Sequence, residues 1–296
     1  MSAPTGSRPS SGSAEAFGAS VAPVTPGSDF RPGSSAGALS RVVLVTGGAR
    51  RIGRELSLGF AARGWDVAVH FGGSGDAADE LVTQIEALGR RAVALHADLA
   101  SEADVARLVP ACTAALGRPA CVLNNASSFD EDTARDIGYE KLLNLMAINV
   151  GAPLVLARTL YEATPDAAAA DESQRTCVIN VLDQKLYNMN PDYLSYTLTK
   201  AALANATVAL AQALAPKVRV VGLAPGLTLQ SADQTPEGFE TAHKLTPLGR
   251  ASRPADLVEA ALYLAGASGV TGTTLVVDGG QHLVPLPRDV MYLTGA

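Results

Sequence analysis

The stretch VVLVTGGARRIGRELSLGFAARG, residues 42–64, decides the fold. Residues 42–45 are β-branched or leucyl, a run of the length and type found in buried strands. Thr46, Gly47 and Gly48 interrupt it. Beyond them, Ile52, Leu56 and Phe60 recur at four-residue spacing, which predicts an amphipathic helix over 51–63. A strand, a glycine turn and a helix in that order aim the helix N-terminus at the strand's end. Such a turn lets the backbone approach a pyrophosphate, and the N–H groups of the helix start favour an anion. The spacing is not G-x-G-x-x-G, and Arg51 stands where related turns more often have glycine. An ordinary glycine-rich strand–helix turn is the alternative reading of this stretch alone.

Outward from it, short apolar runs alternate with helical patterns. Strands are predicted at 66–70, 92–96, 121–123, 177–181, 218–221 and 274–277. Helices are predicted at 77–88, 102–116, 139–160, 193–214 and 254–264. This alternation implies an α/β fold, a single Rossmann-type, doubly wound parallel sheet with helices on both faces. The chain has 296 residues, 47% of them hydrophobic, enough for one large domain at 41–285. Residues 1–40 are rich in Ser, Ala, Gly and Pro without periodicity and read as a flexible tail. The tail lacks the apolar stretch of a signal peptide, and its Arg8 and Arg31 are offset by Glu15 and Asp29, unlike a transit peptide. Residues 286–296 read as a C-terminal tail.

Net charge is -6 with no basic block, so neither nucleic acid nor an anionic membrane is expected as partner. No apolar run approaches the ~20 residues of a membrane helix. Three cysteines, Cys112, Cys121 and Cys177, with no C-x-x-C, suit reduced thiols in a cytoplasmic protein. His70, His96, His243 and His282 are not spaced as a zinc-ligand pair, and no metal is expected.

The chemistry concentrates in YLSYTLTK, residues 193–200. Tyr196 and Lys200 are four apart and share a helix face. An ammonium beside a phenol favours the phenolate, so Lys200 is expected to lower the pKa of Tyr196 and make it a proton donor near neutrality. Cofactor choice turns on the end of the second strand, His70-Phe71-Gly72-Gly73-Ser74. No acid lies between Asp66 and Asp76 to hold a ribose hydroxyl, whereas Arg50 and Arg51 suit a phosphate. NADPH is therefore expected over NADH, with solvated arginines as the alternative. Asp98, before Leu99, either accepts from an adenine amino group or caps the helix beginning near Ser101. Asn124 and Asn125 either hold the strand end and a ribose or simply form a turn.

Together these elements resemble the short-chain dehydrogenase/reductase family over about 41–283, through T-G-x-x-x-R-x-G, N-N-A-S, Asn149, Y-x-x-x-K, Pro225-Gly226 and V-D-G-G at 277–280. Arg51, the run NNASSF at 124–129, and Asp183, 13 residues before Tyr196, are similar to the pteridine reductase and dihydromonapterin reductase branch. Ketone-reducing relatives usually carry Ser at the position of Asp183. An ionised carboxylate only accepts hydrogen bonds, so it opposes a carbonyl oxygen but suits a heterocycle with N–H groups.

The resemblance implies a catalytic set of Asp183, Tyr196, Lys200 and Asn149. Lys200 would also hold the nicotinamide ribose, and Asn149 a water near it. It implies cofactor contacts from Gly47, Arg50, Arg51, Ile52, Gly53, His70, Phe71, Ser74, Asp98, Leu99, Asn125, Ala126, Ser127, Tyr196, Lys200, Pro225, Gly226 and Thr228. Ser127, Phe129, Asp183, Tyr193 and Tyr196 would bind the pterin, with Phe129 stacking on it. Core packing is the alternative for Phe129 and Tyr193. Gly73 replaces a basic residue of the parasite enzymes, which weakens the expected NADPH preference. Residues 227–248, with Thr228, Asp233 and Pro236, should form the substrate lid and show no regular periodicity. Arg288 is expected as a solvated tail charge, although a C-terminal Arg reaches a neighbouring active site in some relatives. The family implies a homotetramer with the apolar helices 139–160 and 193–214 at the interface. Rival readings are a carbonyl or 3-oxoacyl reductase on the same fold and a non-catalytic nucleotide-binding sensor.

Overall fold

Seven strands of the described residues form one parallel sheet in the order β3-β2-β1-β4-β5-β6-β7. They are β1 (Val42–Val45), β2 (Asp66–Phe71), β3 (Ala92–His96), β4 (Cys121–Asn124), β5 (Thr176–Val181), β6 (Val218–Pro225) and β7 (Thr274–Val277). The helices are α1 (Arg51–Ala62), α2 (Gly75–Ala87), α3 (Glu102–Leu116), α4 (Tyr139–Met146), α5 (Ala152–Ala163), α6 (Leu194–Leu214), α7 (Pro236–Lys244), α8 (Pro254–Gly266) and α9 (Val290–Leu293). The computed structural model describes residues 41–230 and 235–293. The expected tail 1–40, Asp233 of the expected lid, and residues 294–296 lie outside them.

Alternate residues of each strand feed opposite faces. Val43, Val45, Val67 and Val69 pack with Leu56 and Phe60 of α1, Leu81 and Ile85 of α2 and Leu257 of α8. Val42, Leu44 and Ala68 pack on the other face with Val105 and Leu108 of α3, Leu156 and Leu160 of α5 and Ala211 of α6. Burying each large side chain contributes about 1.5–3 kcal/mol, so these two layers hold the sheet in register. Strand order reverses between β1 and β4. In open α/β sheets that switch point leaves a crevice beyond the strands' carboxyl ends.

Three elements differ from the sequence expectation. The helix predicted over 139–160 is divided: a π-helical turn, Ala147–Gly151, separates α4 from α5. Pro153 has no N–H for the carbonyl four residues back, and the widened turn instead directs the Ala152 N–H to the Ala147 carbonyl. The helical stretch Tyr139–Ala163 is also long and apolar enough, with mean hydropathy 1.4, to cross a membrane by length and composition, contrary to the sequence reading. In this fold its inner residues Leu156 and Leu160 are buried in the core. β6 runs past the predicted end at 221, because Gly222 is where two strands meet closely. A Cβ there would lie 2.4 Å from Thr274 Oγ1. The lid region contains α7, whose start has a Thr235 cap accepting from the Gly238 N–H at 3.1 Å and Pro236 in the first turn.

Candidate active site

Two cavities open beyond the carboxyl ends of the strands and share Ser127. The first, about 520 Å³, is bounded by Gly47, His70, Asp98, Leu99, Ala126 and Ser127, with Gly72, Gly73, His96, Ala97, Ser128 and Ile148 completing the wall. The second, about 570 Å³, gathers Arg51, Ile52, Asn125, Phe129, Asp183, Tyr193, Tyr196, Lys200, Pro225, Gly226 and Thr228. Of the expected site residues, Arg50, Gly53, Phe71, Ser74 and Asn149 line neither.

The turn after β1 is shaped by close contacts. A Cβ on Gly53 would come within 2.1 Å of the Gly47 carbonyl oxygen, so only glycine permits α1 to start this near β1. Gly47 has φ +59 and Arg51 has φ +52, the left-handed region. Glycine adopts it freely, whereas an L side chain gives up about 1–2 kcal/mol. Arg51 accepts that strain and projects to the second cavity, where its Nη2 donates to the Gln230 carbonyl at 3.2 Å. The start of α1 has no side-chain cap. A strand-end crevice, a backbone cradle too tight for a Cβ and an uncapped helix start fit a dinucleotide's phosphates. The walls on either side fit its two halves.

His70 fastens this turn to the next strand. The Gly47 N–H donates to His70 Nδ1 at 3.0 Å, and His70 Nε2 lies 3.2 Å from the Ala97 carbonyl. With Nδ1 accepting, Nε2 carries the hydrogen and donates. Burial holds His70 below the usual imidazole range. Asp98 Oδ1 accepts from the Ala100 N–H at 2.9 Å and so forms a local turn, while the residue stays exposed on the cavity wall. The helix cap is Ser101 instead, accepting from the Asp104 N–H. Asn125 braces the turn, donating to the Thr46 carbonyl at 3.0 Å. Asn124 donates to Asn180 Oδ1 at 2.8 Å and ties β4 to β5.

In the second cavity Tyr196 donates its hydroxyl hydrogen to Asp183 Oδ2 at 2.8 Å. Asp183 Oδ1 accepts from the Lys185 N–H at 2.8 Å, so the carboxyl both caps a short turn and faces the phenol. Lys200 Nζ donates to the Val181 carbonyl at 2.7 Å and lies 5.6 Å from the Tyr196 ring centroid. The electrostatics correct the sequence expectation. Tyr196 is pushed well above the ordinary phenol range, first by burial and then by the Asp183 carboxylate. Lys200 is the group that falls, to about 8, because burial disfavours its charge. Burial raises Asp183 above the usual carboxylate range against the Lys185 N–H and Tyr196 hydrogen bonds. The arrangement thus keeps a proton on the phenol beside a carboxyl ready to share it.

Asn149 sits in the π-helical turn, and its amide is fully engaged. Its Nδ2 donates to the Ser128 carbonyl and to Thr199 Oγ1, both at 2.9 Å, and its Oδ1 accepts from the Ser128 N–H at 2.8 Å and Ser127 Oγ at 3.2 Å. It clamps the Ser127 loop to α6. Phe129 is not core: it is 48% exposed, stacked on Tyr193 at 4.2 Å between centroids and edge-on to Tyr196 at 4.6 Å. Tyr193, with φ +53, is buried at the head of α6.

Sequence reasoning missed the outer wall. Lys185, Gln281, Asp289 and Val290 all face the second cavity. Arg288 is exposed, as expected, but it is also ion-paired. Its Nε lies 2.8 and 2.9 Å from the two oxygens of buried Asp192 of the same chain. The sequence offered only a weak signal, the charge sequence Arg288-Asp289 in an otherwise apolar end.

Comparison with known proteins agrees with this geometry. A family model described as enoyl-(acyl carrier protein) reductase matches residues 47–282. An uncharacterized oxidoreductase of Mycobacterium tuberculosis is 35% identical over 249 residues, 81% of this chain and 91% of that protein. The 7alpha-hydroxysteroid dehydrogenase of Escherichia coli (strain K12) is 29% identical over 246 residues, 81% of this chain and 93% of the enzyme. Among solved structures, FolM alternative dihydrofolate reductase 1 from Brucella canis, complexed with NADP, superposes with a TM-score of 0.78 at 37% identity, covering 85% of this chain and 98% of that one.

Proposed function

The chain belongs to the short-chain dehydrogenase/reductase family, and from that premise we propose that it is an NADPH-dependent reductase of a C=N bond in a pterin, converting a dihydropterin to a tetrahydropterin. One observation carries this reading: a carboxyl, not a hydroxyl, stands 2.8 Å from the Tyr196 phenol. The likeness to FolM alternative dihydrofolate reductase 1 supports it.

A bound nicotinamide cofactor supplies the hydride. The residues of this chain supply the proton and the alignment. Gly47, Ala126 and the α1 N-terminus would hold the cofactor's phosphates and ribose, and Lys200 and Tyr196 would lie at its nicotinamide end. The absence of an acid among Phe71, Gly72, Gly73 and Ser74, which would repel a ribose phosphate, supports a preference for the phosphorylated cofactor; Arg51, expected at that phosphate, instead lies in the second cavity. Phe129, half-exposed and edge-on to Tyr196, offers a flat ring as a platform, worth on the order of 0.5–1.5 kcal/mol beyond burial. Asp183 accepts an N–H of the heterocycle and relays a proton with Tyr196 to the ring nitrogen as the adjacent carbon is reduced.

The test is an NADPH-oxidation screen with dihydrobiopterin, dihydromonapterin, dihydrofolate and several ketones, repeated with NADH. Turnover of a dihydropterin that is lost in Asp183→Ser supports the reading. Preserved pterin turnover in that variant counts against it. Ketone turnover with none on dihydropterins selects the carbonyl or 3-oxoacyl reductase reading, which the hydroxysteroid dehydrogenase relative favours. NADPH binding with no turnover selects a nucleotide sensor. We further propose a cytoplasmic homotetramer, because exposed Tyr139 and Leu143 of α4 and Leu198 and Val208 of α6 give these helices apolar outer faces.

A further inference from the structure

Tyr196 and Lys200 line the second cavity, so a dinucleotide with its nicotinamide beside them would lay its adenosine half in the first. Where the adenosine ribose carries a 2′-phosphate, a basic side chain near the end of the second strand accommodates it in open α/β sheets. Here β2 ends at Phe71 and runs into Gly72, Gly73 and Ser74, none of them basic. Arg51 lies in the other cavity, and exposed Arg50 lines neither. Of the described residues that line the first cavity, only His70 and His96 can carry a positive charge. His70 is buried, and both of its ring nitrogens are engaged, one by the Gly47 N–H and the other by the Ala97 carbonyl.

His96 is the last residue of β3, and it is exposed. Side chains alternate along a strand. Ala92 and Ala94 pack in the layer of α1 and α2, and Leu95 packs in the opposite layer. His96 therefore stands on the α2 side of the sheet. Phe71 is its register partner on β2 and packs in that same layer. The two rings lie 5.4 Å apart between centroids, tilted by 57°. The Phe71 ring thus holds the imidazole at the end of β2, where a basic residue is otherwise missing. Gly72 and Gly73 line the cavity too, and a Cβ on either would meet no atom within 4 Å. Open space at two residues without side chains leaves room for a bulky anion next to the ring. A phosphate oxygen accepts hydrogen bonds, and an imidazole donates from one nitrogen when neutral and from both when protonated. The acid of this wall, Asp98, lies two residues beyond His96 and has its Oδ1 turned to the Ala100 N–H.

We propose that His96 is the residue that recognises the 2′-phosphate of the cofactor, taking from the end of β3 the role for which the end of β2 offers no basic side chain. The inference rests on the proposed use of NADPH and names the side chain that selects it.

The test is a set of binding titrations by calorimetry on the full-length protein at one pH and ionic strength. The ligands are NADPH, NADH, adenosine 2′,5′-bisphosphate and adenosine 5′-monophosphate. His96→Phe keeps a flat ring against Phe71 and removes both nitrogens. It is expected to weaken NADPH and the bisphosphate by about 5–30-fold and to leave NADH and the monophosphate within about twofold of wild type. His96→Arg, whose guanidinium suits a phosphate, is expected to hold all four ligands within about threefold of wild type. Equal weakening of all four in His96→Phe would make the ring a part of the adenine wall and overturn the proposal. No change in any of them would overturn it as well. A wild type that binds NADH as tightly as NADPH would refute the cofactor preference, whereas a fall confined to the two 2′-phosphorylated ligands in His96→Phe would still place His96 at the phosphate.

Discussion

Lys200→Met makes the electrostatics of the site measurable. Burial lowers Lys200 from 10.5 to about 8, which corresponds to roughly 3 kcal/mol. The direction fixes the sign. The folded state releases this proton near pH 8, whereas the unfolded chain holds it until about 10.4. Between those values the unfolded state binds more protons, so stability rises with pH. The destabilisation from Lys200 is thus fully present below pH 8 and relieved on the way to about 10.4. Methionine keeps the side chain's length and has no charge to desolvate. It leaves the Val181 carbonyl without its 2.7 Å donor, a loss of about 1–3 kcal/mol that does not vary with pH. Urea unfolding from pH 7 to about 10.5 should show the wild type gaining on the variant by roughly 3 kcal/mol across the range. A stability difference that stays flat, or that shrinks as pH rises, would refute the reasoning. The same titration should limit catalysis, with activity falling as pH rises through about 8 and Lys200 loses the charge that faces the cofactor.

Three further outcomes are expected. Asp183→Asn should lower pterin turnover by about 10²–10⁴-fold. Because the folded-state carboxyl is raised, its favourable contribution is present at low pH and lost as pH rises through the folded value, so the variant should gain stability over wild type between pH 4 and pH 8; thermal melts at the two pH values check this. Arg51→Gly relieves the left-handed strain but frees the unfolded chain, two effects of about 1 kcal/mol each, so unfolding should change little, as read by the urea midpoint; a shift of more than about 1 kcal/mol would count against strain at Arg51. Phe129→Ala should weaken pterin binding by about 2–10-fold and leave NADPH affinity unchanged, as read by fluorescence titration of each ligand.

The sheet was legible because a buried parallel strand needs an uninterrupted apolar run, and residues 42–45 and 121–123 carry one, buried along their whole length. Where a strand continues through glycine, as β6 does at Gly222, composition points the wrong way and only the neighbouring strand explains the residue. Tyr196 and Lys200 were legible as a spacing and Asp183 through the family resemblance, and the structure joins Asp183 to Tyr196 directly. Their proton affinities were not legible. Four-residue spacing suggested a cation lowering a phenol, whereas burial and the adjacent carboxylate, both products of the tertiary fold, dominate. Asn149 could be placed in a helix but not in a widened turn, since the cause is Pro153, four residues later. Lys185 and Asp289 are 104 positions apart, and no periodicity links them.

The imidazole of His70 joins the turn after β1 to the end of β3 by accepting from the Gly47 N–H. An imidazolium has no lone pair to offer, and its new hydrogen would point at the amide it now receives. Protonation of His70 would therefore break this clasp at the mouth of the nucleotide cleft. The grip on the dinucleotide thus depends on one ring staying neutral, and burial, by holding its pKa down, keeps it neutral further into acid than a free imidazole would stay.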